Sequence, residues 1–178
     1  MTERARQNWS AECETAVNNQ IQLEYYASHY YHALYCFFRK DNIGLEKIAK
    51  YFKKSSDEER EHAEKFMDYQ TKRGGTAAIG PIDGIVHDLN EACPQRSYIK
   101  ESFVKALGLE KAVNESLLGL HRLADQQNDP AFCDFLESEF LSEQNDANYE
   151  LARYIAQLNL IGHDGFGLWQ FANTFDEK

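Results

Sequence analysis

Residues 56–65 read SDEEREHAEK. This composition is typical of a charged, solvent-exposed helix face, yet Glu59 and His62 fall on the apolar stripe of the helix. With alternating steps of three and four residues, that stripe reads Ile48, Phe52, Ser55, Glu59, His62, Phe66 and Tyr69. A glutamate and a histidine between phenylalanines indicate a role inside the protein rather than on its surface.

The bulk properties favour a single cation-handling domain. A chain of 178 residues is long enough for one domain with a sizeable core, and its formal net charge is −10. That charge argues against nucleic acid or an anionic membrane as a partner. The first residues contain no apolar signal region, and the four cysteines form no CxxC pair. We therefore expect a cytoplasmic protein with reduced thiols.

Prolines and glycines divide the chain into long helical patterns. Ser10 is a good N-cap, Gly74 and Gly75 terminate a pattern, and Asn128-Asp129-Pro130 is a helix start. The predicted segments are helix A (about 10–39), helix B (about 45–73), helix C (about 97–124), helix D (about 130–160) and a short helix E (about 168–175). The short A–B and C–D links make each of those pairs antiparallel neighbours.

The segment between helices B and C, residues 74–96, predicts a crossover loop. Its 23 residues can span up to ~75 Å at ~3.3 Å per residue. A bundle helix of this length measures only about 40 Å. The sequence therefore predicts an all-α fold, a four-helix bundle with one long crossover loop and a short fifth helix, folded as a single domain over residues 1–178.

The other three long helices also carry polar residues at predicted core positions. Glu24 on helix A, Glu110 on helix C and Gln144 on helix D lie in register with apolar residues, and Tyr31 follows Glu24 by one heptad. Buried carboxylates cost several kcal/mol each unless they are paired or bind metal. Since the sequence supplies few buried cations, this convergence favours a site for two divalent metal ions.

The donor types narrow the choice of metal. Carboxylates and an imidazole without a thiolate suit Fe(II), Mn(II) or Zn(II). Helix B contains Glu59-x-x-His62, whereas the corresponding stretch of helix D is Gln144-x-x-Ala147. One metal position is thus well provided and the other weakly. A di-iron peroxidase or oxygenase on the same bundle and a metal-free structural bundle remain alternatives.

Four segments, in chain order, resemble ferritin of the eukaryotic heavy-chain type. They are EYYASHYY (24–31), SSDEEREHAEKFMDYQTKRGG (55–75), LGLEKAVNESLLGLHRLA (107–124) and NDPAFCDFLESEFLSEQ (128–144). The resemblance implies a ferritin-like fold and an iron-storing shell of 24 subunits, built from this chain alone or with related subunits. It also implies a ferroxidase that binds two iron ions per centre, uses Fe(II) and O2 as substrates and stores ferric mineral.

The resemblance also assigns roles residue by residue. The ferroxidase centre would comprise Glu24, Glu59, His62, Glu110 and Gln144, with Tyr31 beside it. The acidic residues that lead iron from this centre to the cavity would be Glu58, Glu61, Glu64 and Glu143. The three-fold pore would be lined by Asp134 and Glu137, with His121 and Cys133 nearby. The last helix, GLWQFANTF, departs from the family pattern because it is aromatic and has no histidine.

Overall fold

The computed structural model describes residues 5–82, 98–162 and 165–175. Within these ranges all regular structure is helical, which confirms the predicted all-α class and its short C-terminal helix. The elements are α1 (Ala11–Phe38), α2 (Glu46–Lys72), α3 (Tyr98–Gln126), α4 (Pro130–Leu136), a π-helical segment (Glu137–Leu141), α5 (Ser142–Ile161) and α6 (Gly165–Ala172). Cys93, the later part of the predicted crossover and the first residue of predicted helix C lie outside the described residues.

Side-chain caps and a glycine set three helix boundaries. The Ser10 hydroxyl accepts a hydrogen bond from the Cys13 N–H, and the Asp129 carboxylate caps α4, with Pro130 in its first turn. After α2, Gly74 has φ +76°, and a Cβ there would lie 2.5 Å from the Arg6 main-chain nitrogen. Only glycine fits that position without moving the chain.

The bundle has two apolar clusters with a polar layer between them. α1 packs against α2 and α3, and α3 packs against α4 and α5. One cluster contains Tyr31, Phe38, Phe52, Phe103 and Phe171, and the other contains Val17, Ile21, Phe66, Leu117 and Phe132. The middle of each long helix therefore supplies the layer that separates the two clusters.

The buried stripe of α2 differs from the predicted one at alternate positions. Ser56 and Gln70 are buried, whereas Ser55 and Tyr69, which the sequence placed in the core, are partly exposed. His62 is likewise partly exposed beside the buried Ala63. A helix in a bundle buries a stripe wider than a single row, so the one-row prediction chose the wrong neighbour three times. Glu59 is common to both stripes and is buried.

Predicted helix D is not one α-helix, because the π-helical segment separates α4 from α5. The buried residues Phe132, Leu136, Phe140 and Gln144 follow one another at steps of four. Each such step overshoots a full α-helical turn by ~40°, so three steps would rotate the stripe by ~120°. The wider π turn absorbs part of this rotation and keeps Gln144 directed towards the bundle interior.

An extended segment, residues 76–81, runs alongside α1 and is held by three α1 side chains one turn apart. The Glu14 carboxylate accepts from the Thr76 N–H (2.8 Å). Asn18 accepts from the Ala78 N–H (2.9 Å) and donates to the Thr76 carbonyl (3.1 Å). Gln22 accepts from the Gly80 N–H (2.9 Å) and donates to the Pro81 carbonyl (2.8 Å). These side chains replace the partner strand that an extended backbone otherwise needs.

Helix α6 begins three residues before the predicted start of helix E and ends at Ala172. Its inner face buries Leu168 and Phe171 against the bundle. On its outer face Phe166 and Trp169 stack at 6.1 Å between ring centroids and are 71% and 54% exposed. None of the described helices has the length and apolar character that crossing a membrane requires.

Candidate metal centre

The polar layer between the two apolar clusters contains one buried polar side chain from each of four helices. Glu24 on α1, Glu59 on α2, Glu110 on α3 and Gln144 on α5 are each at most 5% exposed. Every one of them lies near the middle of the bundle, where the two apolar clusters leave a gap. The structure therefore brings together the four side chains that the sequence placed in the interior.

Three of the predicted ligands form a compact donor set. Ligand atoms of Glu24, Glu59 and His62 lie within 4.8 Å of one another. Glu59 and His62 project from adjacent turns of α2, with 3.4 Å between Glu59 Oε2 and His62 Nδ1. On its other side His62 Nε2 lies 3.4 Å from Glu143 Oε2. Two carboxylates and an imidazole are donors that suit Fe(II).

The second half of the centre is held by hydrogen bonds to Glu110. The Tyr31 hydroxyl donates to Glu110 Oε1. Gln144 Nε2 donates to Glu110 Oε2 (2.5 Å) and to the Glu110 main-chain carbonyl (2.9 Å). Both carboxylate oxygens of Glu110 are thus engaged, and Gln144 turns its amide nitrogen rather than its oxygen towards Glu110.

Glu24 has one satisfied and one unsatisfied oxygen. Its Oε1 accepts a hydrogen bond from Gln20 Nε2 at 2.7 Å, whereas its buried Oε2 has no hydrogen-bond partner among the described residues. A buried carboxylate oxygen without a partner is costly unless a proton or a cation lies between it and the neighbouring Glu59 carboxyl. A divalent cation between Glu24, Glu59 and His62 would satisfy this oxygen, so the residues present fit a metal ion.

Burial and mutual repulsion perturb the acids of the centre. Desolvation, with the nearby Glu59 charge as the next cause, raises the pKa of Glu24 well above 4.5. Desolvation and the Glu110 charge likewise raise the pKa of Glu59. The pKa of Tyr31 also rises, chiefly through burial and then through the Glu110 charge. Without a cation this cluster holds protons more tightly than isolated carboxyls do.

These shifts predict how the stability of the metal-free protein depends on pH. The folded pKa values of Glu24 and Glu59 lie above their ordinary value of 4.5. Their contribution to stability is therefore fully present below pH 4.5 and is lost as the pH rises through the folded values. We expect Glu24→Gln/Glu59→Gln to raise the Tm of metal-free protein more at pH 8 than at pH 5, measured by scanning calorimetry.

The matched control for this pH experiment is Glu12→Gln/Glu115→Gln, which neutralises two exposed acids. It should shift the Tm little at either pH, because exposed charges and surface ion pairs contribute little to stability. Parallel Tm-against-pH curves for the buried pair and the wild type would contradict the assignment of raised pKa values to these two glutamates.

The predicted transit acids lie beside the centre with different surroundings. Glu58, Glu61 and Glu143 line a cavity of about 900 Å³ that also contains Glu59 and His62. Glu64 is exposed one turn further along α2, and its carboxylate is 3.8 Å from the Arg60 Nε. Three of the four acids thus share the cavity of the centre.

The four residues predicted for the pore lie together at the surface. Asp134, Glu137, His121 and Cys133 all line one surface pocket of about 500 Å³. His121 Nε2 lies 2.6 Å from Glu137 Oε1, and both acids are exposed. The structure therefore brings all four predicted pore residues together on one protomer.

Residues that the sequence reading missed also contact the centre. Gln20 contacts Glu24, and the Ser116 hydroxyl contacts Gln20 in turn. Tyr51 and Tyr154 line the cavity, and burial raises the pKa of Tyr154 to about 12. Gln20 could have been found from its spacing, because a polar residue four positions before a buried glutamate lies on the same helix face.

Together the bundle and this donor set define a class, that of four-helix proteins with a carboxylate–imidazole metal centre. Residues 14–161 match the family described as ferritin, ferritin-like domain. The chain therefore belongs to the ferritin family.

Plant proteins are among the similar relatives. The chain is 47% identical over 167 residues to "Ferritin, chloroplastic" of Malus baccata var. xiaojinensis and to "Ferritin-1, chloroplastic" of Brassica napus. It is 49% identical over 168 residues to "Ferritin-4, chloroplastic" of Arabidopsis thaliana. Each alignment covers 94% of this chain but only 63% to 66% of the relative, so the chain spans slightly less than two thirds of their length.

The expected cytoplasmic location is wrong. The relatives that share about half of their aligned residues with this chain are named chloroplastic. Net charge, cysteine spacing and the first residues of the chain carried the expectation, and none of these distinguishes two reducing compartments of one cell.

Proposed function

We propose that this chain stores iron and oxidises Fe(II) to Fe(III) with O2 at the centre formed by Glu24, Glu59 and His62. The observation that carries this proposal is the grouped donor set, in which the buried Glu24 Oε2 has no hydrogen-bond partner among the described residues. Membership of the ferritin family and relatives named ferritin support the same function.

Within this proposal the two halves of the centre have different tasks. Glu24, Glu59 and His62 bind the first Fe(II) tightly, because α2 holds two of the three donors on adjacent turns. Glu110 and Gln144 bind the second Fe(II) more weakly, since their hydrogen bonds to one another must first be broken. We assign Glu59 to both halves, because its carboxyl interacts with Glu24 on one side and with Glu110 on the other.

The remaining residues move iron and protons. Tyr31 keeps Glu110 in place and can release its hydrogen bond when the second Fe(II) enters. Acids lining the cavity, namely Glu58, Glu61 and Glu143, accept Fe(III) as it leaves, with Glu64 one turn further along α2. Displacement of protons from the Glu24–Glu59 cluster accompanies iron binding, because both carboxyls hold protons above their ordinary pKa.

The proposal extends to assembly and location. We propose a single domain that assembles with copies of itself, or with related subunits, into a shell of 24, with two iron ions at each centre. We also propose a plastid location, on the strength of the relatives' names. Immunogold labelling with an antibody raised against this chain tests the location.

Anaerobic titration with Fe(II), followed by admission of air, tests the activity. Two Fe(II) per chain should be oxidised by O2 in a fast phase. Further Fe(II) should then also be oxidised by O2, and the resulting Fe(III) should stay in solution as mineral inside the shell, recorded by absorbance. Gel filtration tests the shell, because 24 chains of 20.6 kDa elute at about 490 kDa. Fe(II) oxidation no faster than in buffer alone would reject the proposed ferroxidase.

Asp134 and Glu137 predict how iron reaches the interior. Three copies of this exposed pair around a three-fold axis would concentrate cations by focusing the electrostatic field. We expect Asp134→Ala/Glu137→Ala to slow iron uptake, and to slow it more at 10 mM than at 300 mM salt, because salt screens the field. Stopped-flow absorbance at the two salt concentrations measures the effect.

The matched control for the pore is Asp41→Ala/Glu46→Ala, which removes the same charge from exposed positions at the α1–α2 turn. It should change uptake little at either salt concentration. If the pore variant and this control behave alike at low salt, the two acids serve only the N-terminal end of α4 and its neighbouring turn.

A further inference from the structure

Gln20 is a fully buried amide with a polar partner at each end. It lies on α1 one turn before Glu24 and is 0% exposed. Its Nε2 donates to Glu24 Oε1 at 2.7 Å, and its Oε1 accepts from the Ser116 hydroxyl of α3 at 2.5 Å. A line of hydrogen bonds therefore runs from α3 through α1 to a carboxylate of the metal centre.

The direction of this line is set at its Glu24 end and is held at its Ser116 end. An amide side chain can present either its oxygen or its NH2 group to a neighbour, and the two orientations differ by a half turn. The Ser116 hydroxyl can donate or accept, and here it donates to the amide oxygen, which holds the amide with its NH2 group towards Glu24. A carboxylate can only accept, so both contacts favour one and the same orientation.

As a consequence, the two carboxylate oxygens of Glu24 have different surroundings. Oε1 is occupied by Gln20, whereas the buried Oε2 has no hydrogen-bond partner among the described residues. If both oxygens were unoccupied, the carboxylate could rotate or chelate with both. With Oε1 held, Oε2 is the oxygen that stays available to the Glu59 and His62 side of the centre.

We propose that Gln20 is a positioning residue that reserves Oε1 of Glu24 and leaves Oε2 for the metal ion, and that Ser116 acts through Gln20 by fixing its amide. This inference rests on the proposed metal-binding function. Partners of metal ligands orient those ligands, and their removal typically costs 10-fold to 100-fold in metal affinity.

The experiment uses Co²⁺ alone as the probe, so that no turnover is needed. Assembled, metal-free protein is titrated with Co²⁺ under calorimetry and absorbance spectroscopy. We expect Gln20→Leu to weaken Co²⁺ binding at the centre by about 10-fold and to change the d–d spectrum of the bound ion. Ser116→Ala should give a smaller change in the same direction, and it remains informative if Gln20→Leu does not fold.

A matched control separates positioning from the general cost of losing a buried amide. Gln70 is also 0% exposed and uses its amide fully, bonding Trp9 Nε1 and the Glu14 carbonyl. It lies eleven residues beyond Glu59 on α2, about 16 Å along the helix. Gln70→Leu should lower the Tm as Gln20→Leu does, but leave Co²⁺ affinity and spectrum unchanged.

A double-mutant cycle tests the order of the line. Since Ser116 acts through Gln20, Ser116→Ala should have no further effect on Co²⁺ affinity in the Gln20→Leu background. Additive effects would overturn that part of the inference. Wild-type affinity and spectrum in both single variants would overturn the positioning role itself.

Glu24→Ala distinguishes failure of this inference from failure of the proposed function. If Glu24→Ala binds Co²⁺ as the wild type does, the metal centre itself is misassigned. If Glu24→Ala loses binding while the Gln20 and Ser116 variants keep it, the centre stands and only the positioning role is rejected.

Discussion

Glu59→Ala/His62→Ala should abolish the fast phase of Fe(II) oxidation while leaving a folded shell. Both ligands project from adjacent turns of α2 and supply two of the three grouped donors. Loss of direct ligands should exceed the 10-fold to 100-fold cost of changing their partners, so we expect a fall in initial rate of about 100-fold or more. Stopped-flow absorbance after the first two Fe(II) per chain measures this rate.

The folded state of that variant should be at least as stable as the metal-free wild type. Removing Glu59 relieves a carboxylate whose pKa is raised by burial and by Glu110. The matched control is His32→Ala/Glu46→Ala, which removes one histidine and one glutamate from exposed positions on α1 and α2. A fast phase of wild-type rate in a folded Glu59→Ala/His62→Ala shell would sink the assignment of the centre.

Gln144→Glu/Ala147→His should convert a centre that turns over into one that retains its product. The change rebuilds a second Glu-x-x-His pair on α5 opposite the pair on α2. The first addition of Fe(II) should still be oxidised quickly, because both iron positions are filled. Later additions should be oxidised several-fold more slowly, since a carboxylate and an imidazole hold iron more strongly than an amide does.

The contacts of Gln144 indicate that this variant should be less stable than the wild type when no metal is bound. Gln144 Nε2 donates to Glu110 Oε2 and to its carbonyl, and a glutamate there would lose both bonds and place two acids face to face. The pKa of the introduced carboxyl would be raised in the folded state by the Glu110 charge. The resulting loss of stability should therefore be absent at low pH and grow as the pH rises. Metal binding should restore the Tm, which calorimetry with and without Co²⁺ would detect.

The control for this variant makes the same chemical changes elsewhere on α5. Ala152→His/Gln157→Glu alters exposed positions, and its repeated additions of Fe(II) should be oxidised at the wild-type rate. If the folded Gln144→Glu/Ala147→His shell also keeps the wild-type rate through repeated additions, weak binding at Gln144 has no bearing on turnover.

Periodicity and helix-breaking residues were sufficient to predict the all-α class and its interior polar layer. Glu24, Glu59, Glu110 and Gln144 lie at heptad-like steps from apolar residues, and burial follows from that spacing alone. Caps were equally readable, because Ser10 and Asp129 act through their own side chains on the next few residues. Helix-capping rules and the spacing of buried residues are thus enough to predict the helices and their interior polar layer.

Features that depend on more than one helix were not predictable. The π segment corrects a rotation that accumulates from Phe132 to Gln144, and only the partner helices decide where that correction is made. The orientation of the Gln144 amide depends on Glu110. The Gln20 amide donates to Glu24 and is also held by Ser116 on another helix. The predicted cytoplasmic location was wrong for a different reason. Net charge and the cysteine pattern are compatible with several compartments, so they do not identify one.

The Glu14, Asn18 and Gln22 contacts to residues 76–81 act as a ruler with two scales. Four residues of helix advance ~6.0 Å, whereas two residues of extended chain advance ~6.6 Å, so the scales slip by ~0.6 Å at each mark. Over the three contacts this difference in advance stays small enough for hydrogen bonds to form. The series ends at Pro81, because proline has no N–H to donate. These contacts therefore keep residues 76–81 in register with the turns of α1 that precede Glu24.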